Sequence, residues 1–166
     1  MERMTYDFFH RPCPEVARDL VGKLLVCNGK TLRITQTECY CGESDTACHA
    51  SRGRTKRTEV MYREAGTVYV YLCYGMHWML NIVTGEPEQP EAVLIRACKE
   101  APGPGKLTKA LGITGSFNRS SVLTSDALWV ADDGFRCSVD TGKRIGIGYA
   151  SKEDQDRLWR FIGKEY

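Results

Sequence analysis

The sequence contains no apolar run long enough to cross a bilayer. The longest, such as Val68–Tyr74, fall far short of the roughly 18–20 residues required. Met1–Met4 lead directly into Tyr6–Phe9 without the apolar core of a signal peptide, so neither a secreted nor a membrane-embedded chain is expected. No two cysteines have the Cys-x-x-Cys spacing. The glycine spacing and Lys-Ser/Thr pair of a Walker A loop are missing. There is no internal repeat and no low-complexity stretch. Excess charge is nearly absent too, since 23 Lys and Arg against 21 Asp and Glu leave a net charge of +2. At 166 residues and 42% hydrophobic content, the chain can build one domain around one core.

Cysteine, in contrast, is plentiful. Eight occur, at 13, 27, 39, 41, 48, 73, 98 and 137. Several lie in apolar or strand-like runs and read as reduced thiols acting as small hydrophobes, because disulfide frameworks belong to secreted chains. Cys39, Cys41, Cys48 and His49 have the spacing Cys-x-Cys-x6-Cys-His, which fits no common structural zinc pattern. The His-x-Glu and Pro-Cys-x-x-Cys pair of zinc deaminases is also missing. No metal or cofactor is expected.

The net charge of +2 is unevenly spread. Residues 1–48 carry seven acids and six bases, and residues 64–166 carry thirteen acids and twelve bases, each net −1. His49–Arg63 carries Arg52, Arg54, Lys56, Arg57 and Arg63 against Glu59 alone, net +4. Such a run is either a solvated loop or a phosphate-contacting one.

Periodicity predicts a helix started by Pro14, with Val16, Ala17, Leu20 and Val21 on one side and Gly22 at its end. Leu24–Cys27 and Thr31–Tyr40 read as strands joined by an Asn28-Gly29 hairpin. In the second strand a period of two puts Leu32, Ile34, Gln36, Glu38 and Tyr40 on one face. Thr67–Tyr74 and Trp78–Val83 read as strands flanking a tip that carries Tyr74, Gly75, Met76 and His77. Ala92–Cys98, Ala127–Ala131 and Ile145–Tyr149 are further expected strands. Lys106–Leu111 is expected to be a helix, as is Glu153–Ile162 behind an N-cap at Ser151. Many short strands joined by hairpins argue for an α+β fold. The expectation is a single domain over residues 1–166, with a curved antiparallel sheet, a protruding hairpin and a few short helices.

Glu38 near a strand end reads either as an edge charge or as a general base at a pocket mouth, with Tyr40 as its wall. His49 is a candidate hydrogen-bond partner for a substrate. An exposed aromatic at a hairpin tip beside a basic loop can enter a base stack. Pro102–Leu107 offers glycines, a helix N-terminus and Lys106, either as an anion-binding turn or as plain capping.

Taken together, these segments resemble the alkyladenine (3-methyladenine, methylpurine) DNA glycosylases. The resemblance rests on Phe8-Phe9, Thr37-Glu38-Cys39-Tyr40, His49-Ala50-Ser51-Arg52-Gly53 and Gly66–Tyr71. It continues through Tyr74-Gly75-Met76 with Asn81, Val93–Ala97, Gly103–Leu107 and Arg144–Gly148, in family order from about residue 8 to residue 148. It implies a monofunctional, cofactor-free hydrolase acting on double-stranded DNA that contains damaged purines, with no strand-lyase activity. By resemblance, Glu38 is the general base that activates a water, and Arg96 and the carbonyl of Ile145 help hold that water. Tyr40 forms one wall of the base pocket; His49 and Tyr71 form the other, and Asn81 screens the purine edge. Tyr74 intercalates, with Met76 beside it. Arg52, Arg54, Lys56, Arg57, Gly105 and Lys106 are expected to contact DNA, as is His77, which departs from the Tyr expected there. The cysteines at 39, 41 and 48 stand where the family usually carries small or apolar residues. A monomer is expected, either cytoplasmic and nucleoid-associated in a prokaryote or nuclear in a eukaryote.

Overall fold

A computed structural model describes residues 1–164. Its strands are β1 (Glu2–Arg3), β2 (Leu24–Cys27), β3 (Lys30–Cys41), β4 (Val68–Cys73), β5 (His77–Thr84), β6 (Glu91–Cys98), β7 (Leu128–Asp132), β8 (Val139–Gly142) and β9 (Arg160–Gly163). The helices are α1 (Tyr6–Phe9), α2 (Cys13–Leu20), α3 (Pro104–Leu111) and α4 (Lys152–Asp156). The strands form an open sheet in the order β1-β7-β2-β3-β6-β5-β4, with β9 added on β3 and β8 on β9. Every pairing is antiparallel, and the fold is α+β. No helix among the described residues is long and apolar enough to cross a membrane.

The spine is β3. One of its edges pairs with β6 over most of its length, and the other is shared by β2 at Lys30–Arg33 and β9 at Gln36–Glu38. Where the second edge changes partner, the pairing with β6 is irregular, between Ile34 and Gln36 and again between Gln36 and Thr37. A bulge of this kind shifts the alternation of side chains. Leu32 and Ile34 pack in the main core, but past the bulge the core-facing residues are Thr37, Cys39 and Cys41. Glu38 and Tyr40 therefore face the opposite way from Leu32 and Ile34. This corrects the single continuous face expected from strict period two.

Other expectations hold at the level of chemistry. Cys13, Val16, Ala17 and Leu20 form the buried stripe of α2, which lies on β3 and β6. The Asn28-Gly29 loop has φ of 52° and 79°, both positive as a two-residue type I′ turn demands. At the β4–β5 tip, Tyr74 and Gly75 repeat that geometry with φ of 51° and 65°, closed by Met76 N–H donating to Cys73 O at 3.0 Å. This hairpin is braced by α3, whose Thr108 hydroxyl donates to Trp78 O at 2.8 Å.

Two expected elements differ. Ile145–Tyr149 is not a strand, because Gly146 takes φ of +76° and Ala150 N–H closes a turn on Ile147 O. The last helix keeps its Ser151 cap but ends at Asp156. Arg157 is extended, and Arg160–Gly163 instead pairs with β3 and β8, burying Phe161. Sheet edge and core burial there outweigh the capping signal. The basic segment forms two short 3-10 turns, His49–Arg52 and Thr58–Tyr62.

The irregular 144–150 segment is anchored by a buried ion pair. Arg144 grips Asp45 with both terminal nitrogens, at 2.6 and 3.0 Å, and donates to Cys39 O and Asp154 O. Its guanidinium lies between the rings of Tyr40 and Trp159. Asp45 in turn accepts the backbone N–H groups of Cys41 and Ala47. Removing one member of such a pair leaves a buried charge alone. Arg144→Met is therefore expected to destabilise the fold by about 3–5 kcal/mol in urea denaturation. The double variant Arg144→Met/Asp45→Leu should regain much of that loss. A single-variant cost below about 1 kcal/mol would show that the pair is not what anchors the segment.

Candidate active site

Glu38 is fully buried. Its Oε1 accepts the Tyr40 hydroxyl at 2.8 Å, and its Oε2 accepts the Ile145 N–H at 2.9 Å. Arg96 Nε stands 3.4 Å from Oε2, an ion-pair distance longer than a normal N–H···O bond. Three elements bring these residues together: the outward face of β3 past its bulge, Arg96 on β6, and the turn after Arg144. Burial and the adjacent Glu38 push the Tyr40 phenol well above its ordinary pKa, so it stays a donor.

Beside this carboxylate runs a cleft of about 480 Å³. Its lining brings together Tyr40, His49, Tyr71, Ile145 and Tyr149 with Tyr74 and His77 of the hairpin tip and the 103–106 turn. It adjoins a chamber of about 30 Å³ that shares Tyr40, His49, Tyr71 and Tyr149 and is also lined by Tyr69 and Asn81. Asn81 sits opposite Tyr69 across the β4–β5 pair, and its Nδ2 donates to Tyr69 O at 3.2 Å. His49 Nδ1 lies 3.0 Å from the Tyr69 hydroxyl, and its ring meets that of Tyr71 at a centroid distance of 4.5 Å. Burial, with Arg57 and Arg52 nearby, lowers the His49 pKa to about 4. The ring is thus neutral at physiological pH. Tyr40, His49, Tyr71 and Tyr149 line both cavities, so aromatic rings supply much of the wall, a lining suited to a flat, electron-poor heterocycle.

The hairpin tip is exposed, with Tyr74 at 90% and Met76 at 72%. His77 packs on Gly105 so closely that a Cβ there would lie 2.8 Å from the imidazole. Glycine at 105 thereby fixes the approach of α3 to the hairpin. Lys106, in the first turn of α3, also borders the cleft.

The basic segment does not act as one patch. Arg57 lies over the ring of Tyr71, 5.2 Å from its centroid. Arg54 instead pairs with Glu88 and covers Tyr62, in a separate groove with Arg63 and Arg119. Arg63 is held by Glu59. Lys56 is exposed in the turn between the two 3-10 helices. The set Cys39, Cys41, Cys48 and His49 is not assembled either. The first two belong to the main core, whereas Cys48 packs in a second cluster with Tyr69 and Met61.

Sequence reasoning missed Tyr149, Tyr69 and the Asp45–Arg144 pair. Tyr149 donates to Ala47 O at 2.6 Å and lines both cavities. Its only signal was its place one residue past the Arg144–Gly148 motif. Nothing in the sequence joins Asp45 to a residue 99 positions away.

Across nearly the whole chain, residues 7–102 and 99–166 match the family model described as methylpurine-DNA glycosylase (MPG). The chain is 44% identical over 163 residues to a protein of Rickettsia peacockii (strain Rustic), covering 94% of this chain and 87% of that one. It is 41% identical to one of Natranaerobius thermophilus, covering 96% and 94%, and 43% identical to one of Methanocella arvoryzae, covering 99% and 94%. All three carry the name "Putative 3-methyladenine DNA glycosylase". This chain belongs to the methylpurine-DNA glycosylase family.

The neutral state of His49 has a measurable consequence. Its folded pKa lies below the unfolded value of about 6.5, so unfolding takes up a proton between the two. Its contribution is complete above about pH 6.5 and is lost as the pH falls towards 4. The stability of wild type relative to His49→Gln should be flat from pH 8 to 6.5 and decline from 6.5 to 4 in urea titrations. A difference independent of pH would mean that His49 titrates like an exposed imidazole.

Proposed function

We propose that this chain is a monofunctional DNA glycosylase that removes alkylated or deaminated purines from duplex DNA as a monomer, without cofactor. The observation that carries the reading is the buried Glu38 carboxylate, held by Tyr40, Ile145 and Arg96 at the side of an aromatic-lined cleft. In this reading the damaged nucleotide is extruded and its base enters between Tyr40 and the His49–Tyr71 pair. The 30 Å³ chamber is too small for a purine, so the base sits at its junction with the larger cleft. Asn81 and His49 then face the edges of the base.

Chemically, Glu38 takes a proton from a water as its oxygen attacks the anomeric carbon. The C1′–N bond breaks, and its electron pair leaves with the purine. Arg96 and the Ile145 carbonyl hold the water on the side away from the leaving base. An alkylated purine is cationic and departs neutral, which makes base activation of water sufficient. For hypoxanthine the departing ring also needs a proton.

Tyr74 fills the gap left in the base stack, with Met76 beside it on the same stiff turn. Arg52, Lys56 and Arg57 contact the DNA backbone in this reading, with Arg57 over the Tyr71 ring that lines the cleft. Gly105, Lys106 and the first turn of α3 border the cleft near His77, where free backbone N–H groups favour a phosphate. Arg54 contributes only if DNA displaces Glu88.

The test is base release from a duplex containing one 3-methyladenine or one hypoxanthine. Glu38→Gln should keep lesion binding and slow excision by about 10²–10⁴-fold. Excision as fast as wild type would refute the role of Glu38. Tyr74→Ala should leave the fold intact and weaken lesion binding by roughly tenfold to a hundredfold, the worth of one base–aromatic stack. Unchanged binding and excision would make the tip purely structural.

A further inference from the structure

On the reverse of the strand that carries Glu38 and Tyr40, three cysteines converge. Cys13 opens α2, and Cys39 and Cys41 point inward from β3 past the bulge. Their sulfur atoms all lie within 4.8 Å of one another. Cys13 and Cys39 are fully buried, while Cys41 reaches partial exposure and so leaves a route of entry. We propose that these three sulfurs form a binding site for a thiophilic d10 cation, Zn²⁺ or Cu⁺, that clamps the start of α2 to β3.

The surroundings suit that chemistry. Small hydrophobes in a core have no need to share one spot, whereas a soft cation needs thiolates brought together. Burial holds the Cys13 thiol well above its ordinary pKa, and its Sγ donates to Ala92 O at 3.0 Å, so an arriving cation must displace that proton. Burial also raises the Cys39 thiol well above its ordinary pKa; the buried guanidinium of Arg144, which donates to the Cys39 carbonyl, opposes this only in part. Glu91 fixes the donor backbone, since its carboxylate accepts the Cys13 N–H at 3.0 Å. Glu91 is also the cross-strand partner of Cys41. A fourth ligand for Zn²⁺ would come from that side, as a water or the Glu91 carboxylate; Cu⁺ is satisfied by three sulfurs. Binding releases the thiol protons to solvent, and with Zn²⁺ the three-thiolate centre carries −1 rather than −3.

This spacing is invisible in sequence, because Cys13 lies 26 residues before Cys39. The site is separate from the Glu38 cleft, and the proposal does not depend on the glycosylase reading.

The experiment uses the whole chain, fully reduced with a phosphine and stripped of metal. It is titrated in separate arms with Zn²⁺, with Cu⁺ under anaerobic conditions, with Cd²⁺ as a spectroscopic probe, and with Mg²⁺ as a control. One equivalent of Cd²⁺ should give a thiolate-to-metal charge-transfer band. Whichever of Zn²⁺ and Cu⁺ binds more tightly names the ion. At a hundredfold excess over its Kd, that ion should raise Tm by about 5–10 °C. Cys13→Ala and Cys41→Ala should each lose at least a hundredfold in affinity, and Cys73→Ala should lose none. The absence of a stoichiometric band in wild type would overturn the proposal. So would a band that survives in both cluster variants, or an Mg²⁺ effect equal to that of Zn²⁺. Air oxidation that removes two hydrogens from this trio, with no metal uptake after reduction, would instead make it a disulfide-forming pair with a bystander thiol.

Discussion

The bidentate contact between Arg144 and Asp45 is the constraint on which the site depends. Glu38 lies on a regular strand, but its partner at Oε2 is the backbone of an irregular turn. Turns of this length carry few contacts of their own and are mobile unless tied down. The guanidinium ties this one to the Cys39 carbonyl, to Asp45 and to Asp154 O at once. From that anchor the Ile145 amide falls on Glu38 and the Tyr149 hydroxyl on Ala47. The pair is costly to bury, and its Nε has no hydrogen-bond partner among the described residues. Its planar fork and its position between two rings make arginine the fitting choice, since lysine offers neither bidentate geometry nor stacking.

A second constraint is the bulge in β3. A strand with a strict period of two would put Glu38 on the same side as Leu32 and Ile34, in the core. By slipping the alternation at Gln36, the chain keeps Leu32 and Ile34 inside for β2 packing and still delivers Glu38 and Tyr40 to the cleft. The same slip turns Cys39 and Cys41 inward towards α2. Front and back of this strand are therefore coupled through one backbone irregularity. Anything that holds Cys39 and Cys41 also fixes the direction of Glu38.

Much of this was legible in the sequence, for stated physical reasons. The Asn28-Gly29 pair marks one hairpin, Gly75 breaks the strand run at the other, and the apolar spacing marks α2; the positive φ of Tyr74 had no such signal. Local chemistry decides such features. The bulge, the conversion of Ile145–Tyr149 to a turn and the strand at Arg160–Gly163 depend on which partner each segment finds, and no local signal carries that. The same holds within the site. Glu38, Tyr40, His49 and Arg96 were readable as candidates, but the anchor Asp45–Arg144 and the partner Tyr69 emerge only when distant segments meet. Charge shows the difference most plainly. The segment His49–Arg63 is +4 in sequence, yet Arg54 and Arg63 are neutralised by Glu88 and Glu59 in the fold.

What remains of that charge bears on how the site works. Burial, reinforced by the nearby Arg57 and Arg52, holds the His49 imidazole neutral, and Arg57 lies over the ring of Tyr71. A neutral ring can offer one donor and one acceptor to a bound base, where an imidazolium would offer donors only and repel a cationic one. Placing guanidinium groups beside the cleft thus does two things with one set of residues. On the proposed reading it adds positive potential for a polyanion, and it reinforces the burial that keeps positive charge off the imidazole. Local placement of charge does this without a basic overall composition, so a chain of net charge +2 is compatible with a nucleic-acid partner.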